Sequence, residues 1–342
     1  MPRQSPLDLG EAPLGSPLKI ALLWRVFSIS VSRMRFPRLL SILIFSVLAA
    51  ACSTTPTPPT QTSAAAPPPI AESPAGAPEV WPANAPEILA QSAILIDARS
   101  GKVLFQKNAD ARRPVASTQK LLTALIVARA GNLQDIVTIA EPETRAEPTK
   151  LNLKVGDRYP RQQLLETVMV KSMNDACAAL ARDHSGSEAA FAEKMNSTAR
   201  ALGANSSHFA NSNGLPAQQY STARDMARVA FYAYRNPVLR ELMLKRECRF
   251  RHNSGRVSVL EATNFLLSRS PAFNGMKTGF TNAAGRCLIS SGRLNEREVI
   301  LVQLGSKTKS IFNDAARAMA WAPTPRPFFA SGRNSMLGDT IF

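Results

Sequence analysis

From Ser92 the apolar pattern runs Ser-Ala-Ile-Leu-Ile-Asp97, breaks at Ala98-Arg-Ser-Gly101 and resumes as Lys102-Val-Leu-Phe-Gln106. Two β-rich runs around a glycine-containing turn predict a β-hairpin. Beyond it the period lengthens. Leu121, Leu122, Leu125 and Ile126 recur at i, i+1, i+4 and i+5, lining one face of a helix that opens at Ser117 and stops at Gly131-Asn132. Helical spacing also covers Gln162 to Val170, Glu188 to Leu202 with Gly203 as its stop, and Thr222 to Tyr234, where Thr222 is an N-cap with Asp225 three residues on. After Arg249 the period falls toward two, and strands are predicted around Val257 to Leu260, Gly275 to Thr281, Arg286 to Ser291 and Val299 to Leu304. A helix from Asn313 to Trp321 closes the segment. Strands at both ends with helices between them predict one sheet assembled from distant pieces and covered by helices, an α+β fold with no internal repeat.

The first 86 residues follow none of these periods. Leu39 to Ala51 is a run of 13 uncharged residues behind Arg33, Arg35 and Arg38, short for a membrane-spanning helix and right for a signal-peptide core. It ends in Leu48-Ala-Ala-Ala-Cys52, which resembles a bacterial lipoprotein processing site, so Cys52 is the expected lipidation site. A plain secretory signal cut near Ala51 is the alternative, and both export the chain. Met34 opens a signal of normal size, which makes it the candidate start. From Ser53 to Pro86, 10 of 34 residues are Pro, too many to pack a core; such a tether at about 3 Å per residue reaches roughly 100 Å. The expected organisation is a leader and signal over 1–51, a lipidated linker over 52–86, a folded body over 87–322 and a tail over 323–342.

With 45% hydrophobic and 19% charged residues, the 342-residue chain cannot be disordered throughout. Its net charge is +16, and the 35 basic and 23 acidic residues after Cys52 leave +12 on the exported part. That charge suits nucleic acid or an anionic envelope, and the export signal selects the envelope. His184, His208 and His252 stand in no metal-ligand spacing, so a metal site, and with it a zinc hydrolase, is not expected. Cys177, Cys248 and Cys287 are odd in number and lie in apolar surroundings, which reads as buried free thiols.

Three strings carry chemistry: Ser117-Thr-Gln-Lys120, Ser172-Met-Asn174 and Lys277-Thr-Gly279. S-x-x-K alone decides nothing, because Ser16 to Lys19 and Ser306 to Lys309 fit it too. Only Ser117 opens an apolar helix, placing its hydroxyl at the positive end of the dipole with Lys120 one turn on along the same face. A serine beside an amine is an activated nucleophile if the lysine pKa falls from its ordinary ~10.4, through burial and a second cation such as Lys277. The Lys-Thr-Gly strand offers an ammonium and a hydroxyl to a carboxylate, and its glycine lets substrate lie close to the strand edge.

The order S-x-x-K, S-x-N, K-T-G resembles penicillin-binding proteins and serine β-lactamases. Pro114-Val-Ala-Ser-Thr-Gln-Lys-Leu-Leu-Thr-Ala-Leu125, Ser172-Met-Asn-Asp-Ala176, Asn211-Ser-Asn-Gly-Leu215, Tyr220-Ser-Thr-Ala-Arg-Asp225 and Asn274-Gly-Met-Lys-Thr-Gly-Phe-Thr-Asn-Ala-Ala-Gly285 narrow it to the low-molecular-mass D-alanyl-D-alanine carboxypeptidases of the S11 serine peptidases, from Ile88 to Trp321. The resemblance implies a β-lactamase/transpeptidase-like fold, with an antiparallel sheet flanked by helices and a helical subdomain. It implies a hydrolase that removes the terminal D-Ala of peptidoglycan stem peptides through an acyl-serine, with no metal or organic cofactor, and is inhibited covalently by β-lactams. By position Ser117 is the nucleophile, Lys120 the base, and Ser172 and Asn174 the shuttle and orienting pair. Lys277, Thr278, Gly279, Phe280 and Thr281 bind substrate, with the Ser117 and Phe280 amides as the oxyanion hole, where one donor is typically worth ~3 kcal/mol.

Departures from the family pattern leave alternatives open. The family's carboxylate-binding Arg aligns with Ile311, so carboxylate binding would rest on Lys277, Thr278 and Thr281, with Lys307 or Lys309 nearby. Arg286 and the Asn211 to Leu215 turn read as structural, and His184 and His208 as surface residues. The tail after Trp321 lacks the amphipathic period of the family's C-terminal anchor, a role the N-terminal lipid would take. A DD-endopeptidase and a catalytically weak peptidoglycan-binding lipoprotein are the competing functions. A β-lactamase is disfavoured for want of a Glu-x-x-Leu-Asn loop.

Overall fold

The computed structural model describes residues 85–322. The leader, the Cys52 site, the linker up to residue 84 and the tail lie outside the described residues.

The chain opens with β1 (Ser92–Asp97) and β2 (Val103–Lys107), the expected hairpin. Its turn is fixed by the Asp97 carboxylate, which accepts from the amides of Arg99 and Ser100, with Gly101 at φ 77°. Helix α1 (Lys120–Ala130) departs from the one-faced helix expected: Lys120 through Ala128 are all buried. Helices pack around it on several sides, so the apolar stripe seen in the sequence is only part of a fully enclosed surface. A small hairpin of β3 (Ile136–Thr138) and β4 (Arg158–Pro160), with α2 (Glu141–Thr144) between its strands, leads to α3 (Arg161–Val170), α4 (Asn174–Ser185) and α5 (Glu188–Ala201). In α6 (Ala223–Arg235) the Thr222 hydroxyl caps the Asp225 amide as expected. The Asp225 carboxylate turns away to Ser206, Ser207 and Arg228.

Besides β3, α2 and β4, three further elements escape the sequence pattern: α7 (Pro237–Met243), β5 (Glu247–Arg251) and α8 (Leu266–Arg269). Strand β6 (Val257–Glu261) pairs with β5. Then β7 (Phe273–Thr281), β8 (Gly285–Leu294) and β9 (Arg297–Ser306) form a meander, and α9 (Ile311–Trp321) begins two residues earlier than expected. The five-stranded sheet is antiparallel, in the order β2-β1-β9-β8-β7. Both faces are covered, which explains the unbroken apolar run Val299 to Val302. Ile94, Ile96, Ile289, Ile300 and Val302 face the helical body; Leu95, Leu288, Val299 and Leu301 face Ile311, Ala315 and Met319 of α9. Strand β7 is left at an edge, against the entry to α1.

Candidate active site

Ser117 lies in a 3-10 turn, Ala116–Gln119, that runs straight into α1. Ala116 enters it at φ 49°, a left-handed conformation that costs a non-glycine residue of order 1–3 kcal/mol and must be held from outside. The Asn211 to Leu215 turn holds it. Gly214 packs so close that a Cβ there would stand 2.1 Å from the Ala116 carbonyl oxygen, and Gln119 Nε2 donates to the Asn211 carbonyl at 2.6 Å.

Lys120 is fully buried, and its Nζ lies 2.8 Å from Ser117 Oγ, 2.7 Å from Asn174 Oδ1 and 2.7 Å from the Asn213 carbonyl oxygen. The Asn213 carbonyl and the Asn174 amide oxygen can only accept. When the ammonium loses a proton, its two remaining N–H bonds stay with those oxygens and the lone pair faces the serine hydroxyl. The surroundings thus aim the free base at Ser117. Burial lowers the Lys120 pKa to about 8. The expected contribution of Lys277 differs in kind. Lys277 is also fully buried and falls well below its ordinary value, first through burial and then through the charge of Lys120.

Asn174 opens α4, its Nδ2 donating to the Glu147 carbonyl at 3.1 Å, which fixes the amide so that Oδ1 points to Lys120. Ser172, at φ 69°, stands in the α3–α4 connection and lines the same cavity as Ser117. On β7 the Thr278 hydroxyl donates to Thr263 Oγ1 at 2.7 Å, and Lys277 Nζ donates to the Thr278 carbonyl at 3.0 Å. Gly279 faces the nucleophile directly: a Cβ there would come within 2.9 Å of the Ser117 and Thr118 nitrogens. Phe280 projects outward, 56% exposed. Thr281 lies outside the cavity wall, its Oγ1 accepting from the Ala284 amide at 3.0 Å in the β7–β8 turn.

Ser117, Ser172, Thr278, Gly279 and Phe280 line a cavity of about 420 Å³. Lys171, Thr263, Arg286, Ile311 and Phe312 share the wall, and among the described residues no carboxylate does. Arg286, read from the sequence as structural, borders this cavity, whereas Lys307 and Lys309 lie outside its wall. The Asn211 to Leu215 turn is also more than structural, because it delivers the Asn213 carbonyl. Glu188 was missed: its Oε1 accepts from the Ser212 amide at 2.6 Å, steadying the residue before Asn213. Cys287 shares the wall but burial raises its thiol to about 11, and Cys177, close to Lys120, also rises to about 11. Neither thiol competes as a nucleophile near neutral pH.

The family model for D-alanyl-D-alanine carboxypeptidase, Peptidase S11, matches residues 79–308. The chain belongs to that family. It is 32% identical over 243 residues to a D-alanyl-D-alanine endopeptidase of Pseudomonas aeruginosa, covering 70% of this chain and 78% of the relative. It is 35% identical over 249 residues to the D-alanyl-D-alanine carboxypeptidase DacA of Escherichia coli K12, covering 69% of this chain and 61% of the relative. Among solved structures, a D-alanyl-D-alanine carboxypeptidase of Mycobacterium tuberculosis superposes with a TM-score of 0.67 at 30% identity, over 71% of this chain and 95% of that one. The Streptomyces K15 DD-transpeptidase follows at 0.65 and 29%, over 69% and 97%. This serine peptidase thus has the β-lactamase/transpeptidase-like fold that its motifs imply.

Proposed function

We propose that the protein hydrolyses the D-Ala-D-Ala bond of peptidoglycan stem peptides through an acyl-enzyme on Ser117. The observation that carries this reading is the Lys120 amine, whose lone pair has only the Ser117 hydroxyl to face. Lys120 takes the hydroxyl proton as Oγ attacks the penultimate D-Ala carbonyl, and the Ser117 and Phe280 amides receive the oxyanion. The proton passes by way of Ser172 to the leaving nitrogen, the C–N bond breaks, and D-Ala departs. Water then adds to the ester, giving its proton back through Lys120, and releases the shortened peptide and free Ser117. Asn174 holds Lys120 and the substrate backbone, while Lys277 and Thr278 form the floor beneath the leaving residue. A β-lactam follows the same acylation path. Release of D-Ala from a pentapeptide, absent in Ser117→Ala, tests the proposal; no release and no penicillin adduct would overturn it.

Cross-link cleavage is the second reading. A D-alanyl-D-alanine endopeptidase is among the relatives, and Ile311, which by its placement in the sequence stands where the carboxypeptidase pattern has an Arg, lines the cavity. A cross-linked peptide dimer, incubated beside the pentapeptide, separates the two by the appearance of monomer or D-Ala.

The signal-like run before Cys52 supports export to the cell envelope and lipid attachment there. Among the described residues no helix is long and apolar enough to cross a membrane. Incorporation of labelled palmitate into the wild type, and its loss in Cys52→Ser, is the expected result.

A further inference from the structure

We infer that Arg286 is the residue that receives the free carboxylate of the substrate's terminal residue, in place of the arginine that Ile311 displaces. The inference rests on the DD-peptidase reading of the same site. Two cations, Lys171 and Arg286, stand in the described cavity wall, and no acidic residue neutralises them there. Lys277 lies beneath the wall, fully buried, with its Nζ already donating to the Thr278 carbonyl. An ammonium so buried sheds its proton readily, whereas a guanidinium stays charged at every working pH.

Register places Arg286 on the α9 face of the sheet, and the cavity reaches it around the β7 edge from Ser117, which Gly279 meets on the other face. Arg286 sits directly across from Phe280 in the β7–β8 pair, as Leu288 does from Thr278. Side chains two apart on a strand share a face, so Thr278, Phe280, Arg286 and Leu288 all project toward the start of α9. Leu288 packs in the same apolar layer as Ile311, which confirms that face. The guanidinium carbon lies 5.1 Å from the centre of the Phe280 ring, which seats the fork on a residue that lines the cavity with Thr278. No ion pair to an acidic residue holds it among the described residues. A planar, permanently charged fork in the same cavity wall as Thr278 and Ser117 matches a carboxylate carried on the leaving residue. Lys171 stands at the end of α3 beside Ser172, with neither a place on β7 or β8 nor, among the described residues, an aromatic ring against it.

The test uses the full chain and two peptides that end in D-Ala-D-Ala, one with a free carboxylate and one with a C-terminal amide. Wild type should favour the free acid. In Arg286→Gln, kcat/KM for the free acid should fall about ten- to a hundredfold while the amide changes little, so the preference collapses. Lys171→Gln should keep it. Arg286→Lys, which retains stem and charge without the fork, should keep part of it, and serves if Arg286→Gln does not fold. Adding Ile311→Arg to Arg286→Gln should restore it. Preference retained in folded Arg286→Gln, or lost equally in Lys171→Gln, overturns the assignment. Failure of wild type to cleave either peptide overturns the DD-peptidase reading itself, and the assignment with it.

Discussion

At Lys120 the chemistry reduces to one proton. With a pKa of about 8, the lysine is mostly an ammonium at pH 6 and mostly an amine at pH 9. Because only the amine can take the Ser117 proton, penicillin acylation should fall about tenfold for each pH unit below 8 and level off above it. A flat rate between pH 6 and 9, measured by acid quench and mass spectrometry, would place the base elsewhere. Lys120→Arg should acylate at least about a hundredfold more slowly at every pH while unfolding normally, since a guanidinium does not surrender its proton in a protein. The Ser117–Lys120 pair was legible in the sequence because i, i+3 spacing at the start of an apolar helix fixes proximity without knowledge of the rest of the fold. The third acceptor around Lys120 was not legible: it is the main-chain oxygen of Asn213, 93 residues away, and no side chain advertises it. Arg286 was hidden for a related reason. Its place in the cavity wall depends on cross-strand register and on which face of β8 it occupies, and local periodicity carries neither.

Among the elements, β7 and the turn before α1 meet through a glycine. In Gly279→Ala the methyl group would press on the Ser117 and Thr118 nitrogens at 2.9 Å, and both belong to a helix entry already committed by its neighbours. The strand must back away, so acylation should drop on the order of a hundredfold, read as the penicillin second-order rate constant, with little change in helix content. Thr222→Ala makes the contrasting case. It removes the cap on the Asp225 amide in α6, far in sequence from the nucleophile, and should cost about 1 kcal/mol in urea unfolding while acylation persists. The first hairpin and helices α3, α5 and α6 were legible because each repeats its own period, and α5 and α6 also carry a cap. Helix α1 misled, since full enclosure leaves no polar face to complete the pattern. The pair β5 and β6 was half seen: β6 follows Arg249, but β5, reading Glu-Cys-Arg-Phe-Arg, buries only Cys248 and Phe250.

Across the whole molecule, two apolar layers clamp one antiparallel sheet, and the site lies where its β7 edge meets the helical body. That placement brings together residues from α1, the α3–α4 connection, the 211–215 turn and β7, so the nucleophile is competent only in the assembled fold. The described cavity wall, with two cations and no carboxylate, suits an anionic peptide end. The Pro-rich segment after Cys52 and the +12 charge of the residues beyond it suit work at a distance from an anchoring membrane, a proposal on which the site's chemistry does not depend. The central claim is that Ser117, driven by Lys120, is the acylated nucleophile, and the most direct measurement is intact-mass spectrometry after benzylpenicillin, with peptide mapping of the adduct. The expected result is one adduct, on the peptide containing Ser117, absent in Ser117→Ala and strongly slowed in Lys120→Arg. An adduct mapped to any other residue, or one that persists in Ser117→Ala, would contradict it.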